Sequence, residues 1–223
     1  MSKMSKMSTK LKVVEIFESV QGEVPLGKYA LFIRLYGCNR RCVFCDTKYS
    51  WMSNTYFEID VKSIHIPKTI NYIVITGGEP LLQKDALEEF VKQLKSKNPH
   101  VKIALETNGD ITNFNCNLFD LVVISPKDMY TLEYWLRRLQ NHPNVILKVI
   151  DRPNDEQLFK YIFKLLRHKV ISIEDLQKIY IMPFGSTQKQ IDRNFRQILK
   201  RIQLYNLKGV NVTYRLHITL KIK

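Results

Sequence analysis

The stretch Tyr29-Ala30-Leu31-Phe32-Ile33-Arg34-Leu35-Tyr36-Gly37-Cys38-Asn39-Arg40-Arg41-Cys42-Val43-Phe44-Cys45 is an apolar run, interrupted by Arg34 alone, that leads into a loop carrying three thiols. The run is too short for a helix and lacks polar alternation, which predicts a strand covered on both faces from Tyr29 to Leu35. Similar runs predict strands at Val13–Phe17, Tyr72–Thr76, Val101–Leu105, Leu118–Ile124, Val145–Val149, Ile179–Met182 and Val210–Tyr214. Between them, apolar residues recur at helical spacing: Ala86, Leu87, Phe90, Val91 and Leu94; Leu158, Tyr161, Ile162, Leu165 and Leu166; Ile191, Phe195, Ile198, Leu199 and Ile202. Asn154 and Ser186 are candidate caps. Alternating strands and helices predict an α/β fold with a mainly parallel sheet, whose ligands bind past the carboxyl ends of the strands.

The glycines fit that expectation. The 223 residues hold only 8, and six of them fall in Gln21-Gly22-Glu23, Gly37-Cys38, Thr76-Gly77-Gly78-Glu79-Pro80, Thr107-Asn108-Gly109 and Pro183-Phe184-Gly185. All but the first of these segments follow a predicted strand. A composition of 45% hydrophobic and 25% charged residues excludes bulk disorder. No apolar run has the length of a membrane span or of a signal peptide core, which predicts a cytoplasmic protein without a membrane partner. Residues 1–10 are expected to be a flexible leader, with a single domain from 11 to 223. Lysine and arginine number 35 against 21 acidic residues, a net +14. Several of the basic residues (Lys92, Lys95, Lys97, Arg193, Arg196, Lys200, Arg201) fall on predicted helix faces, where solvation explains them better than nucleic acid does.

Cys38, Cys42 and Cys45 crowd into eight residues, while Cys116 stands apart and is expected to be structural. Without a secretion signal, such clustering points to metal or redox chemistry rather than to a disulfide framework. Zinc would need a fourth ligand, and neither Asp46 nor His65 completes an ordinary structural site. A 4Fe-4S cluster on three thiolates keeps one iron open, which suits chelation by the amino and carboxylate groups of S-adenosylmethionine.

The C-x3-C-x2-C loop with Phe44 before its third cysteine, followed by Gly77-Gly78-Glu79-Pro80, resembles the radical S-adenosylmethionine superfamily. More specifically, the chain resembles the 7-carboxy-7-deazaguanine synthases of queuosine biosynthesis. The resemblance is carried in order by Glu15 to Glu23, Phe32 to Cys38, Cys45-Asp46-Thr47, Tyr49-Ser50-Trp51, Leu105 to Gly109, Ser125-Pro126-Lys127 and Arg215-Leu216-His217. It implies an open, partial TIM-like barrel of mainly parallel strands. It also implies conversion of 6-carboxy-5,6,7,8-tetrahydropterin to 7-carboxy-7-deazaguanine with loss of ammonia, assisted by magnesium. The implied cofactors are a 4Fe-4S cluster on Cys38, Cys42 and Cys45, S-adenosylmethionine, and Mg2+ at Thr47.

The same resemblance implies that Val20, Gln21, Gly22, Glu23, Arg34 and Thr76 contact the substrate, Arg34 through its planar fork on the carboxylate. The C-terminal tail adds Lys223. For S-adenosylmethionine it implies Gly78, Glu106, Ser125, Pro126, Lys127, Met182, Pro183, Phe184 and Gly185. A flavodoxin or ferredoxin would supply the electron, docking on the basic surface, and the enzyme would be a homodimer with no direct nucleic acid contact. The stretch from Ser53 to Asn71, with Pro67 inside it, lacks the amphipathic helix of many relatives and predicts a short or irregular first crossover. Two rivals differ in what they require. A glycyl-radical activase would share the cluster but has no use for Gln21-Gly22-Glu23 and Arg34. An electron-transfer or RNA-binding module would hold its iron with four ligands.

Overall fold

The structure is a computed structural model that describes residues 10–60, 64, 66–153 and 156–221. The expected leader up to residue 9, His65, the candidate cap Asn154 and the terminal Lys223 lie outside the described residues. The chain forms two compact units: one of residues up to 18, 30–107 and 111–120, the other of 19–29, 108–110 and 121 onward.

The first unit is built on strands β1 (Lys10–Val20), β2 (Tyr29–Leu35), β3 (Phe57–Asp60), β4 (Tyr72–Gly77) and β5 (Lys102–Thr107), with β1 running on into the second unit. Their order is β3-β1-β2-β4-β5. β2, β4 and β5 are parallel, in register Phe32–Val74–Ala104 and Ile33–Ile75–Leu105, so these triplets form rows on alternate faces. Both faces are apolar and buried, as the unbroken runs predict. The exception is β3, which pairs antiparallel with β1 and buries only Ile59. It occupies the stretch predicted to lack a helix, and no helix forms between Ser53 and Asn71 among the described residues. α1 (Tyr49–Met52) closes the cysteine loop, and α2 (Lys84–Lys97) buries Leu87, Phe90, Val91 and Leu94. Each such side chain contributes about 1.5–3 kcal/mol through burial. Cys116 is buried in a short 3-10 turn with its thiol pushed up by that burial, as a structural cysteine should be.

The second unit carries β6 (Leu121–Ile124), β7 (Val145–Asp151), β8 (Ile179–Pro183) and β9 (Asn211–Val212), all parallel in that order. β6 is shorter than its predicted span because residues 116–118 form the 3-10 turn. α3 (Met129–Leu136) has no counterpart among the predicted helices. Asp128 caps it by accepting from the Thr131 amide, and it buries Thr131, Leu132, Trp135 and Leu136. α4 (Gln157–Arg167) and α6 (Gln188–Leu204) match the predicted helices, joined by short α5 (Ile173–Leu176) and α7 (Leu216–Leu220). The cap of α6 is Thr187 rather than Ser186, its hydroxyl accepting from the Gln190 amide. No helix among the described residues is long and apolar enough to cross a membrane.

Arg201 corrects the reading of the basic helix faces. It is turned inward from α6, with Nη1 2.8 and 2.7 Å from the two carboxylate oxygens of Asp151, which is 2% exposed. Removing one partner of such a pair strands a buried charge and costs about 3–5 kcal/mol, whereas an exposed i,i+4 pair is worth about 0.5 kcal/mol or less. Urea denaturation should therefore show Arg201→Met losing several kcal/mol and Arg137→Ala, which breaks the exposed pair with Glu133, almost nothing. Equal losses would contradict the assignment.

Candidate active site

The cysteine loop leaves β2 through Gly37 and is fastened to its surroundings by backbone bonds. The Gly37 amide donates to Ser50 O at 2.9 Å, the Gly78 amide to Leu35 O at 3.1 Å and the Glu79 amide to Gly37 O at 2.8 Å. This approach is closer than any side chain allows. A Cβ on Gly78 would lie 2.1 Å from Gly37 O, and one on Gly77, whose φ is +151°, 2.3 Å from Leu35 O. The Gly77-Gly78 pair therefore has a structural task at the mouth of the cysteine loop, whatever ligand Gly78 also meets.

Cys38, Cys42 and Cys45 are half-buried and free of disulfides. Burial pushes the Cys38 thiol up, and the charges of Glu79, Cys42 and Cys45 add to this against a lowering bond from the Arg40 amide, 3.4 Å from Cys38 Sγ. The three thiols are thus near enough to influence one another's charge. Arg41 folds back to donate to Cys38 O at 2.6 Å and Arg40 O at 2.9 Å, with Trp51 4.5 Å from its guanidinium. Three unoxidised thiols in a loop closed by its own backbone fit a cluster bound through three irons. Coordination would deprotonate them outright. Thr47 lies beside this loop, its hydroxyl 3.6 Å from Cys45 Sγ.

Arg34 and Thr76 are register partners near the carboxyl ends of β2 and β4. The Thr76 hydroxyl donates to Glu106 Oε2 of β5 at 2.9 Å. Arg34, Thr76 and Glu106 therefore form one polar row, continuing the face that is apolar one row earlier at Phe32, Val74 and Ala104. A cation, a hydroxyl and a carboxylate in line can hold a small polar molecule by complementary hydrogen bonds. Arg34 does not stand alone, since its Nε donates to Glu15 Oε1 of β1 at 2.8 Å. Glu79 is fully buried. Its carboxylate accepts from the Leu81 amide at 3.0 Å and the Thr107 hydroxyl at 2.7 Å, fixing the turn after β4.

In the second unit, Val20 ends β1 and Gln21 to Glu23 follow it. Gln21 is 4% exposed, and its side-chain oxygen accepts from the Glu23 amide at 3.2 Å. Gly22 accepts the Leu216 amide at 2.9 Å, and a Cβ there would meet His217 Nδ1 at 2.8 Å. Glu23 lies among basic side chains: Lys148 Nζ donates to its carboxylate, Arg215 Nε lies 3.9 Å away and His217 Nε2 4.0 Å away. The Thr213 hydroxyl donates to Glu23 O. Glu23 is thereby held as an oriented carboxylate.

Ser125, Pro126 and Lys127 follow β6, with Lys127 Nζ donating to Ser125 Oγ at 3.0 Å. Met182 and Pro183 end β8. The loop that continues them is pinned by Asn194 Nδ2 on Phe184 O at 2.6 Å and Arg215 Nη1 on Gly185 O at 2.6 Å. Arg215 thus ties the segment at Glu23 to the loop at Gly185. The sequence reading did not assign Glu15 or Lys148. The signal for Lys148 was present: it is a charged residue inside the apolar run Val145-Ile146-Leu147-Lys148-Val149-Ile150, buried to 6% exposure.

Comparison with known proteins finds relatives of this chain. A sequence profile of the radical SAM superfamily matches residues 32–167. A protein of Rhodopirellula baltica named 7-carboxy-7-deazaguanine synthase is 31% identical over 193 residues, covering 84% of this chain and 68% of that protein. One of the same name from Hyperthermus butylicus is 45% identical over 112 residues, or 48% of this chain and 46% of that protein, so the matched part spans about half of that relative's length. The crystal structure of QueE from Escherichia coli superposes with a TM-score of 0.66 over 94% of this chain and 96% of that one. At 20% identity that likeness shows the fold, a mixed α/β, mostly parallel, partial TIM-like barrel. The profile match over most of the chain and the relative from Rhodopirellula baltica together establish that the chain belongs to the 7-carboxy-7-deazaguanine synthase family of the radical SAM superfamily.

Proposed function

We propose that the chain catalyses the reaction for which its relatives are named, the ring contraction of 6-carboxy-5,6,7,8-tetrahydropterin to 7-carboxy-7-deazaguanine with release of ammonia. Substrate and products balance without an external oxidant. The observation that carries the reading is the row Arg34, Thr76 and Glu106 at the carboxyl ends of neighbouring parallel strands, with Arg34 four residues before the first cysteine of the loop. The radical SAM superfamily implies a 4Fe-4S cluster and S-adenosylmethionine, which when bound supply a carbon radical able to remove a hydrogen atom from an unactivated position. Cys38, Cys42 and Cys45 fit the cluster.

The chain's own residues bind and orient. Arg34 takes the substrate carboxylate, Thr76, whose hydroxyl donates to Glu106, accepts from the substrate beside it, and Glu106 contacts S-adenosylmethionine. Val20, Gln21, Gly22 and Glu23 receive the pterin ring, with Glu23 accepting from its N–H groups and Lys148 holding that carboxylate in place. Gly78, Ser125, Pro126, Lys127 and Met182 to Gly185 hold S-adenosylmethionine. Thr47 is the magnesium ligand, its hydroxyl supplemented by water and substrate oxygens. Positioning carries the catalysis, because a carbon radical attacks almost any nearby C–H bond and only one must be offered. A reductant protein of the flavodoxin or ferredoxin class, a homodimeric state and a cytoplasmic setting complete the proposal. Free thiols suit a reducing compartment.

Protein purified without oxygen and loaded with iron and sulfide should convert 6-carboxytetrahydropterin to 7-carboxy-7-deazaguanine, followed by mass spectrometry, given S-adenosylmethionine, magnesium and a reductant. Formation of 5′-deoxyadenosine with the pterin untouched would overturn the substrate assignment. Glu23→Gln should raise KM for the pterin about 10- to 100-fold, the worth of a hydrogen bond to a charged group, with a smaller change in kcat. An unchanged KM would remove Glu23 from the substrate site.

A further inference from the structure

We propose that Glu15 is a positioning residue that fixes the guanidinium of Arg34, leaving its two Nη groups as the fork that reads a carboxylate on the substrate. The inference rests on the assignment of Arg34 to the substrate carboxylate and deepens it. Arg34 Nε donates to Glu15 Oε1 at 2.8 Å, and the Tyr49 hydroxyl donates to that same oxygen at 2.8 Å. The ring of Phe17 lies 5.7 Å from the guanidinium carbon and that of Tyr49 5.8 Å. Phe17 is itself held by stacking on Phe32, centroids 5.1 Å apart at 9°. The side chains of Arg34 and Glu15 are 12% and 17% exposed.

These contacts fix the one torsion-rich side chain of the polar row. Binding at Nε uses the side-on edge of the guanidinium, and the neighbouring rings restrict its rotation. What remains is the end-on edge, and neither Nη donates to another described residue. Two parallel N–H groups held in one plane match a carboxylate better than a rotating cation does, because less freedom is lost on binding. Glu15 also offsets the charge of Arg34, so discrimination comes from the geometry of the fork rather than from net attraction. Tyr49 reinforces this by donating its hydroxyl to the same Glu15 oxygen that accepts from Nε.

The test is the ratio of dissociation constants for tetrahydropterin and 6-carboxytetrahydropterin, measured by calorimetry without oxygen on cluster-loaded protein, without turnover. Arg34→Ala should collapse the ratio toward one. Glu15→Ala should lower it at least about tenfold, Glu15→Gln, which keeps an acceptor for Nε, should recover most of it, and Tyr49→Phe should lower it about threefold. If Arg34→Ala leaves the ratio unchanged, the carboxylate assignment itself falls. If Arg34→Ala collapses the ratio while Glu15→Ala preserves it, Arg34 stands and the positioning role of Glu15 is overturned. Should Glu15→Ala not fold, Tyr49→Phe decides: a lowered ratio supports the clamp and an unchanged one contradicts it.

Discussion

Everything at the cysteine loop depends on a contact between two stretches of backbone. The turn after β4 approaches the end of β2 so closely that only glycine fits at 77 and 78, and the Gly78 and Glu79 amides bond to Leu35 O and Gly37 O. Because β2 and β4 are parallel and in register, this contact sits at their carboxyl ends, one row beyond Arg34 and Thr76. The three thiols are therefore launched from a fixed point rather than from a free loop. Glu79 secures the same turn from beneath by capping its first residues and binding Thr107. The Gly-Gly-Glu-Pro motif is thus first a device for locating the cysteine loop, and any direct ligand contact by Gly78 is added to that.

The second unit solves a related problem with side chains. Its strand ends carry Lys148 and the loop at Met182 to Gly185, and the C-terminal segment reaches back to bind both Gly22 and Gly185. Lys148 and Arg215 bring two positive charges to the single negative charge of Glu23, and His217 Nε2 lies 4.0 Å away. Such a carboxylate is held in place as an acceptor. In each unit the residues expected to touch ligands are held by others that do not, and this support largely determines how precise a site can be.

The sequence made the parallel strands legible because buried strands read as unbroken apolar runs; β2 was predicted to its last residue. The thiol loop and the long amphipathic helices were legible for similar reasons. β3 was not, since Phe57-Glu58-Ile59-Asp60 buries one side chain and is held by pairing with β1, a partner more than forty residues away. α3 was missed although Asp128 signals its start, because Met129 to Leu136 is nearly all apolar or aromatic and shows little contrast between faces. At the site, residue types and motifs named the candidates, but their partners are set by the fold. Glu15 meets Arg34 across 19 residues and Lys148 meets Glu23 across 125. A charge inside an apolar strand is the clue that leads to both pairs, and it was followed for Arg34 but not for Lys148.

Three thiols holding a 4Fe-4S cluster would leave one iron open to S-adenosylmethionine. The most direct measurement is the electron paramagnetic resonance spectrum of the reduced, cluster-loaded protein with and without S-adenosylmethionine. The expected result is a 4Fe-4S signal that shifts when S-adenosylmethionine binds the open iron. A cluster whose spectrum is the same in both samples, as expected from four protein ligands, would contradict it.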